Sequence, residues 1–422
     1  MGVQERATNG LKLLMNQELP FSQAQAAWRF YNNESVDIAA LTNPLFETLT
    51  EEIKNQCDRF VLAMSDWSHI DYKKHKSKRE LNSKNKKGGS AQIGYDLQST
   101  LAVSDRTGEP ISAMVHNLKT EEKIYSTYDE KIGMNLTHLD ELGLRAQWIQ
   151  GNFETDKEIV HIVDREADSV AFMRQLALSN ILFLLRVKTS SGVYDLENKR
   201  EIKQIDLANS LSLGEKVKSI IYEKKRVNIY VNSCAIEVRR DAKRYIVNED
   251  GKQKLQTTPG AAVKARFIVE RLVDENNKVV AEWLLITNIL DTSVTPEILG
   301  TWYYYRWKIE SYFKLLKSSG FNMENWQQRE PIALFRRLLV VSYASVLVWK
   351  IANDSSANAK KMRDFLIQLS GKLIERGKEF TYPALLSGLW VYLQMMDVMQ
   401  SFSIEELFDM KNELSDLIGF QI

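Results

Sequence analysis

Apolar positions along the chain change their spacing from helical to strand-like near residue 58 and back to helical near Pro296. Ala24 to Tyr31 and Ser35 to Leu41 have helical spacing, and Asn43-Pro44 has the form of an N-cap followed by proline at the first helical position, opening a helix over Leu45 to Phe60. Val61-Leu62-Ala63-Met64 is then a buried-strand run, Ile93 to Val103 a second strand, and Asp105-Arg106-Thr107-Gly108 a turn into a third, Ile111 to Val115. A helical stretch to about Gln150 leads to a strand over Ile159 to Val163, a helix over Ala167 to Leu178 and a strand over Ile181 to Val187. No internal repeat or long low-complexity tract interrupts the series.

Three hairpin-connected strands followed by helix, strand, helix and strand predict an α/β fold, a mixed sheet with helices on its faces, in the order of a ribonuclease-H-like core. From about Lys188 to Glu282 β-branched runs such as Val227 to Val231 and Arg266 to Val269 predict an all-β insertion, with a hairpin turn at Asp274 to Asn277. The core resumes with Trp283-Leu284-Leu285-Ile286-Thr287, and the chain is helical from Pro296 onward. The expected divisions are a helical N-terminal region (residues 1–58), a central α/β domain (59–352, insertion about 188–282) and a helical C-terminal region (353–422).

Composition narrows the classes. With 44% hydrophobic and 26% charged residues in 422, the chain can bury a large core. Its 56 basic and 55 acidic residues leave a net charge of +1, so binding of a polyanion must come from local clustering. Two cysteines, Cys57 and Cys234, exclude a disulfide scaffold and a zinc cluster. The N-terminus lacks a secretory h-region and the apolar run Leu338 to Trp349 falls short of a membrane span, so a soluble intracellular protein without a membrane partner is expected.

The segment Trp302 to Lys317 carries the most chemistry. As one helix it places Tyr303, Arg306, Glu310 and Lys317 within an arc of about 60° beside an apolar stripe of Trp302, Ile309, Phe313 and Leu316. A carboxylate there can meet the end of a sheet while the cations and phenol reach outward. The alternative is a solvated helix with an incidental Arg306–Glu310 pair. The spacing Tyr, two residues, Arg, three residues, Glu, six residues, Lys resembles the signature of the bacterial insertion-sequence transposases of the Asp-Asp-Glu type, the family that includes the transposase of the kanamycin-resistance composite transposon.

Partners expected of that family are present upstream: Asp66 in Asp66-Trp67-Ser68, and Asp164 in Val163-Asp164-Arg165-Glu166-Ala167-Asp168. Each has a plainer explanation, a turn carboxylate for Asp66 and a helix N-cap for Asp164. The resemblance implies that Asp66, Asp164 and Glu310 are catalytic and hold two Mg²⁺ ions, with Mn²⁺ as a substitute. Such hard cations take oxygen ligands and clamp the attacking and leaving oxygens of a phosphodiester. It further implies that Tyr303, Arg306, Lys317 and Arg186, with Lys188 beside it, contact DNA near the transposon end, and that Trp283 stacks on a flipped base when the end becomes a hairpin. Between the first strands, Lys73 and Lys74 begin a run of eight Lys or Arg residues ending at Lys87, opposed by Glu80, which could neutralise phosphates or simply be solvated.

The implied activity is that of a DNA transposase that cleaves transposon ends and joins their 3′-OH groups to target DNA. Its partners would be double-stranded DNA (inverted-repeat ends and target) and a second copy of the chain in a homodimer on paired ends, in the cytoplasm at the bacterial nucleoid. A catalytically silent DNA-binding regulator and a non-transposing nuclease of the same fold are the alternatives. Trp67 stands where the composite-transposon enzyme carries a small hydroxyl residue, and 65 residues precede Asp66, fewer than in that enzyme.

Overall fold

The computed structural model describes residues 21–418 except 85–90, 129–131, 135, 223–224, 248–252 and 375–376. Two compact units are present: the described parts of Leu45–Lys76 and Glu80–Tyr312, and those of Met1–Pro44, Ser77–Arg79 and Phe313–Ile422.

Helices α1 (Phe21–Asn32) and α2 (Ile38–Gln56) open the described chain. Pro44 does not start a helix as its Asn-Pro context suggests; it lies inside α2, which begins at Ile38. The apolar run before Pro44 is already helical, and the Thr42 hydroxyl donates to the Ile38 and Ala39 carbonyls at 3.2 and 3.1 Å. One missing N–H does not break a helix extended on both sides of it.

The larger unit is built on one thirteen-stranded sheet. Strands β1 (Phe60–Asp71), β2 (Asn82–Lys84), β3 (Gln92–Ser104), β4 (Pro110–Lys119) and β5 (Ile124–Ser126) form antiparallel pairs. Helix α3 (His138–Asn152) then crosses to β6 (Glu158–Val163), which lies parallel to β1, and α4 (Val170–Leu178) crosses to β7 (Leu182–Arg186), parallel to β6. Thr137 caps α3 through a reciprocal capping box with Asp140.

The segment after β7 departs from an all-β insertion in two ways. It comprises β8 (Gly192–Asp195), β9 (Arg200–Lys203), a short helix α5 (Gln204–Ser210), β10 (Glu215–Tyr222), β11 (Lys225–Val238), β12 (Ala242–Val247), β13 (Gln253–Thr258) and β14 (Val263–Asp274). Leu207 and Ala208 give α5 an apolar face in the core, which is why helix replaces strand there. Apart from β12 and β13, which pair with each other in a separate two-stranded sheet, the strands also continue the main sheet, since β15 (Val279–Thr287) pairs with both β7 and β14 and gives the order β5-β4-β3-β1-β6-β7-β15-β14-β11-β8-β9. The β14–β15 turn follows the sequence, with Asn277 at φ 59° and the Asp274 N–H donating to the Lys278 carbonyl at 3.0 Å.

After β15 come α6 (Pro296–Tyr304), α7 (Trp307–Lys314), a π-turn at Leu315–Ser319, α8 (Pro331–Asn353), α9 (Ala357–Ser370), α10 (Tyr382–Ser401) and α11 (Ile404–Ile418). In the second unit α8 is the core helix. It is 23 residues long, longer than the apolar run suggested and enough to cross a membrane by length and composition, but 72% of its apolar window is buried inside the protein. Arg336 of α8 donates to the Tyr31 and Val36 carbonyls at 2.9 Å each, fastening α1. Helices α9 and α10 approach closely at Gly388, where a Cβ would run into the Leu366 carbonyl.

Candidate active site

Alternation along β1 decides which side chains meet the helices after Pro296. Val61 and Ala63 join Leu49, Ile53 and Ile149 in one core cluster under α2 and α3, so even-numbered residues face the opposite way. There the Phe60 ring meets Trp302 of α6 edge-on at 5.0 Å, and Asp66 shares that face. Because β1 runs to Asp71, Asp66 lies within the strand, not at its end, held in register opposite Ser99 of β3. Ser99 in turn pairs with His116 of β4.

That row also holds α7. The Ser99 hydroxyl lies 2.8 Å from His116 Nδ1, and His116 Nε2 lies 3.2 Å from the Tyr312 hydroxyl on α7. Burial, with Arg145 adding, pushes the His116 pKa down to about 3, so the ring is neutral and offers one donor and one acceptor. The relay fixes α7, and with it Glu310, over β1.

Asp164 follows β6, whose Val163 pairs with Ser65, so the parallel register alone brings it beside Asp66. Its carboxylate accepts the Arg165 N–H at 2.6 Å and caps a 3₁₀ turn at Arg165–Ala167. Asp164 thus caps this short turn and not the α-helix expected from Ala167, which begins at Val170 and is capped by Ser169, and the same carboxylate also has three further neighbours. Tyr303 donates its hydroxyl to Asp164 at 3.2 Å, Arg186 at the end of β7 lies 3.3 Å away, and Arg306 3.8 Å away.

The segment Trp302 to Lys317 is not one straight helix. Tyr305 and Arg306 form a turn between α6 and α7, and a π-turn follows. The Tyr305 ring packs over Gly108, at φ 70°, where a Cβ would collide with it. Arg306 points inward, so the expectation that it reaches outward fails. It is 5% exposed, and its guanidinium lies 3.3 Å from Asp66 Oδ2 and 2.6 Å from Glu310 Oε1, besides its approach to Asp164. One cation thus touches all three carboxylates.

Charge balance shows what the cluster can accept. Burial raises the Asp66 pKa to about 6; the Trp67 N–H and Arg306 oppose this, while Glu166 and Glu310 add to it. At Asp164 burial also pulls upward, but the Arg165 N–H, Arg306, Arg186 and Tyr303 outweigh it and hold the pKa below the usual carboxylate range. Burial disfavours the charged guanidinium of Arg306, yet Tyr303, Asp164 and Glu310 keep it more firmly protonated than usual. Three carboxylates face the guanidiniums of Arg306 and Arg186, leaving net negative charge. Their all-oxygen donors suit a hard divalent cation. Among the described residues no three His, Cys, Asp or Glu side chains converge on one point as metal ligands; here the oxygens surround Arg306.

Comparison with known proteins bears on these strands and helices. A family model described as Transposase DDE domain matches residues 62–347, more than half of the chain. The chain belongs to the Transposase DDE domain family. Family membership makes it a DNA-cleaving enzyme that acts on DNA, and DDE transposases in general use divalent metal ions. No curated protein matches the chain. Among solved structures, the cryo-EM structure of the piggyBac transposase synaptic complex with hairpin DNA is similar at 8% identity and TM-score 0.37, over 95% of this chain and 73% of that one. So distant a likeness carries no argument about the site.

In this transposase the remaining residues singled out from sequence have separate locations. Trp283 on β15 is 8% exposed and packs on Tyr303 with ring centroids 6.3 Å apart. Lys188 is exposed, its N–H donating to Asp168 at 2.9 Å, and Lys73 and Lys74 are exposed beyond the end of β1. Lys317 belongs to the other unit, in the π-turn, 3.3 Å from Glu324. The basic run is not uniformly solvated, because Lys78 is buried with its ammonium on the Gln328 carbonyl at 2.7 Å and Arg79 pairs with Glu330. Lys86 and Lys87 lie outside the described residues.

Sequence reasoning missed three contributors. The His116 relay has no sequence signal, since it depends on strand register. Glu166 accepts the Trp67 indole N–H at 2.6 Å beside the cluster. Asp168 is fully buried and accepts from Arg240, the Lys188 N–H and Ser191 at 2.8, 2.9 and 3.1 Å. The clue to Asp168 was its spacing from Asp164 in a single acidic run.

Proposed function

We propose that the chain is a cut-and-paste DNA transposase of the Tyr-Arg-Glu-Lys insertion-sequence type, which cleaves transposon ends and joins the freed 3′-OH to target DNA. The observation that carries this reading is the meeting of Asp66, Asp164 and Glu310, from three separate elements, around one guanidinium. The strand order β4-β3-β1-β6-β7, with only the β1–β6 and β6–β7 pairs parallel, supports a ribonuclease-H-like core.

Asp66, Asp164 and Glu310 would hold two Mg²⁺ or Mn²⁺ ions, which supply Lewis-acid activation of water or 3′-OH and neutralise charge on the phosphodiester. The chain's own groups do the rest. Arg186 and Tyr303, both already on Asp164, orient that carboxylate and offer donors to a phosphate. The neutral His116–Tyr312 relay keeps Glu310 in place. Trp283, backed by Tyr303, is the aromatic platform for a base extruded in a hairpin intermediate. Exposed Lys73, Lys74 and Lys188 supply sequence-independent phosphate contacts.

Residues 1–58 are assigned to end recognition and residues 353–422 to pairing of two protomers. Exposed Met395, Met399, Phe402, Phe408, Leu414 and Leu417 on α10, α11 and the link between them support the second assignment. The test is incubation of the purified protein and Mg²⁺ with DNA carrying the element's ends and a target plasmid. Covalent joints between the 3′ ends and target establish a transposase; nicks without joints establish a nuclease.

A further inference from the structure

Arg306 occupies a place that a phosphate-binding residue does not need. Its side chain is 6% exposed, deeper than the carboxylates it touches, which are 20, 33 and 39% exposed. We propose that Arg306 is the resident counter-cation of the carboxylate cluster, and that it yields this place to the divalent metal and turns to a DNA phosphate, so that metal and DNA promote each other's binding. The proposal rests on reading Asp66, Asp164 and Glu310 as the metal site.

Three observations support the exchange. A guanidinium and a divalent ion cannot share the same carboxylate oxygens, because at about 4 Å their repulsion is of the same order as either attraction. The three carboxylates do not converge on a metal point while the guanidinium stands among them. The guanidinium already has a neighbour that is open to solvent: in its place among the carboxylates Arg306 lies 5.4 Å from the ring centroid of Trp307, which is 47% exposed. A phosphate that holds Arg306 on this outer side frees the carboxylates for metal, and by linkage metal raises affinity for the phosphate by the same factor.

The experiment measures Mn²⁺ binding to the full-length, DNA-free protein by electron paramagnetic resonance of the free ion, with circular dichroism to check folding. Arg306→Gln should bind Mn²⁺ at least about tenfold more tightly than wild type, a gain of about 1.4 kcal/mol. Arg306→Lys, which keeps a cation but loses the fork, should gain less, and it serves as the test if the glutamine variant does not fold. In wild type, short random-sequence duplex DNA should tighten Mn²⁺ binding by a similar factor. Asp66→Asn separates the two levels. If it weakens Mn²⁺ binding while neither Arg306 variant strengthens it and DNA has no effect, the exchange is wrong and the metal site stands. If Asp66→Asn leaves Mn²⁺ binding unchanged, the metal reading fails and takes the exchange with it.

Discussion

Asp164 and Asp168 stand four residues apart in one acidic run, and substituting each should have opposite consequences. Asp168 has a fully buried carboxylate with a charge-assisted bond to Arg240 and two further donors, the Lys188 N–H and the Ser191 hydroxyl. Asp168→Ala strands those donors in the protein. Breaking a buried ion pair from one side costs roughly 3 to 5 kcal/mol, and because Arg240 stays 24% exposed the lower end, about 3 kcal/mol, is expected. Asp164 is 33% exposed, and when it is changed to Asn, Arg306 keeps Asp66 and Glu310 as partners. Asp164→Asn should therefore alter stability by no more than about 1 kcal/mol yet eliminate metal-dependent DNA cleavage. Urea unfolding followed by circular dichroism gives the stabilities, and nicking of end-bearing plasmid DNA with Mg²⁺ gives the activity. Equal stability of Asp168→Ala and wild type, or a larger loss for Asp164→Asn than for Asp168→Ala, would refute the division between chemistry and support.

Three further outcomes follow from buried and exposed groups. Burial, opposed by Lys218, raises the Glu270 pKa from the usual 4.5 to about 8, so the native state keeps a proton that the unfolded chain loses. Stability should fall as pH rises from about 4.5 to about 8, and Glu270→Gln should flatten that slope by a few kcal/mol, read as melting temperature against pH; an unchanged slope would contradict it. Trp283→Ala should lower the melting temperature through lost packing, of order 3 to 5 kcal/mol, and reduce hairpins further than nicks on the same preparation; equal reduction would confine Trp283 to packing. Charged substitutions at Phe408 and Leu414, both exposed on α11, should shift the protein on paired DNA ends from dimer toward monomer in light scattering with little effect on folding; an undiminished dimer would remove this surface from pairing.

Much of the core was legible because its elements declare themselves locally. Phe60 to Met64, Ile159 to Val163 and Ile181 to Leu185 are largely apolar runs bounded by polar residues, and the hairpin at Asp274 to Asn277 carries its own turn chemistry. Glu310 was singled out by the Tyr-Arg-Glu-Lys spacing and Asp66 and Asp164 by the family resemblance it carries, and parallel register between β1 and β6 brings those two aspartates together. What could not be read depends on tertiary context. The break at Tyr305–Arg306 is packed by Gly108, almost two hundred residues away in sequence, and Arg306 points inward because the carboxylates of Asp66 and Asp164, brought from distant strands, stand on that side. The helix α5 is short enough for β-rich surroundings to hide its period, and Pro44 is tolerated because helix on either side outweighs one absent donor. Burial of Lys78 reversed the meaning of a residue that composition placed in a solvated basic run.

The central claim, that Asp66, Asp164 and Glu310 together hold the metal ions of strand cleavage, is tested most directly by the Mg²⁺-dependent nicking of end-bearing DNA by three single variants. Asp66→Asn, Asp164→Asn and Glu310→Gln should each remain folded and bind the DNA ends while forming no nicked product at any Mg²⁺ or Mn²⁺ concentration. Wild-type nicking by any one of the three would contradict the account by removing that carboxylate from the site.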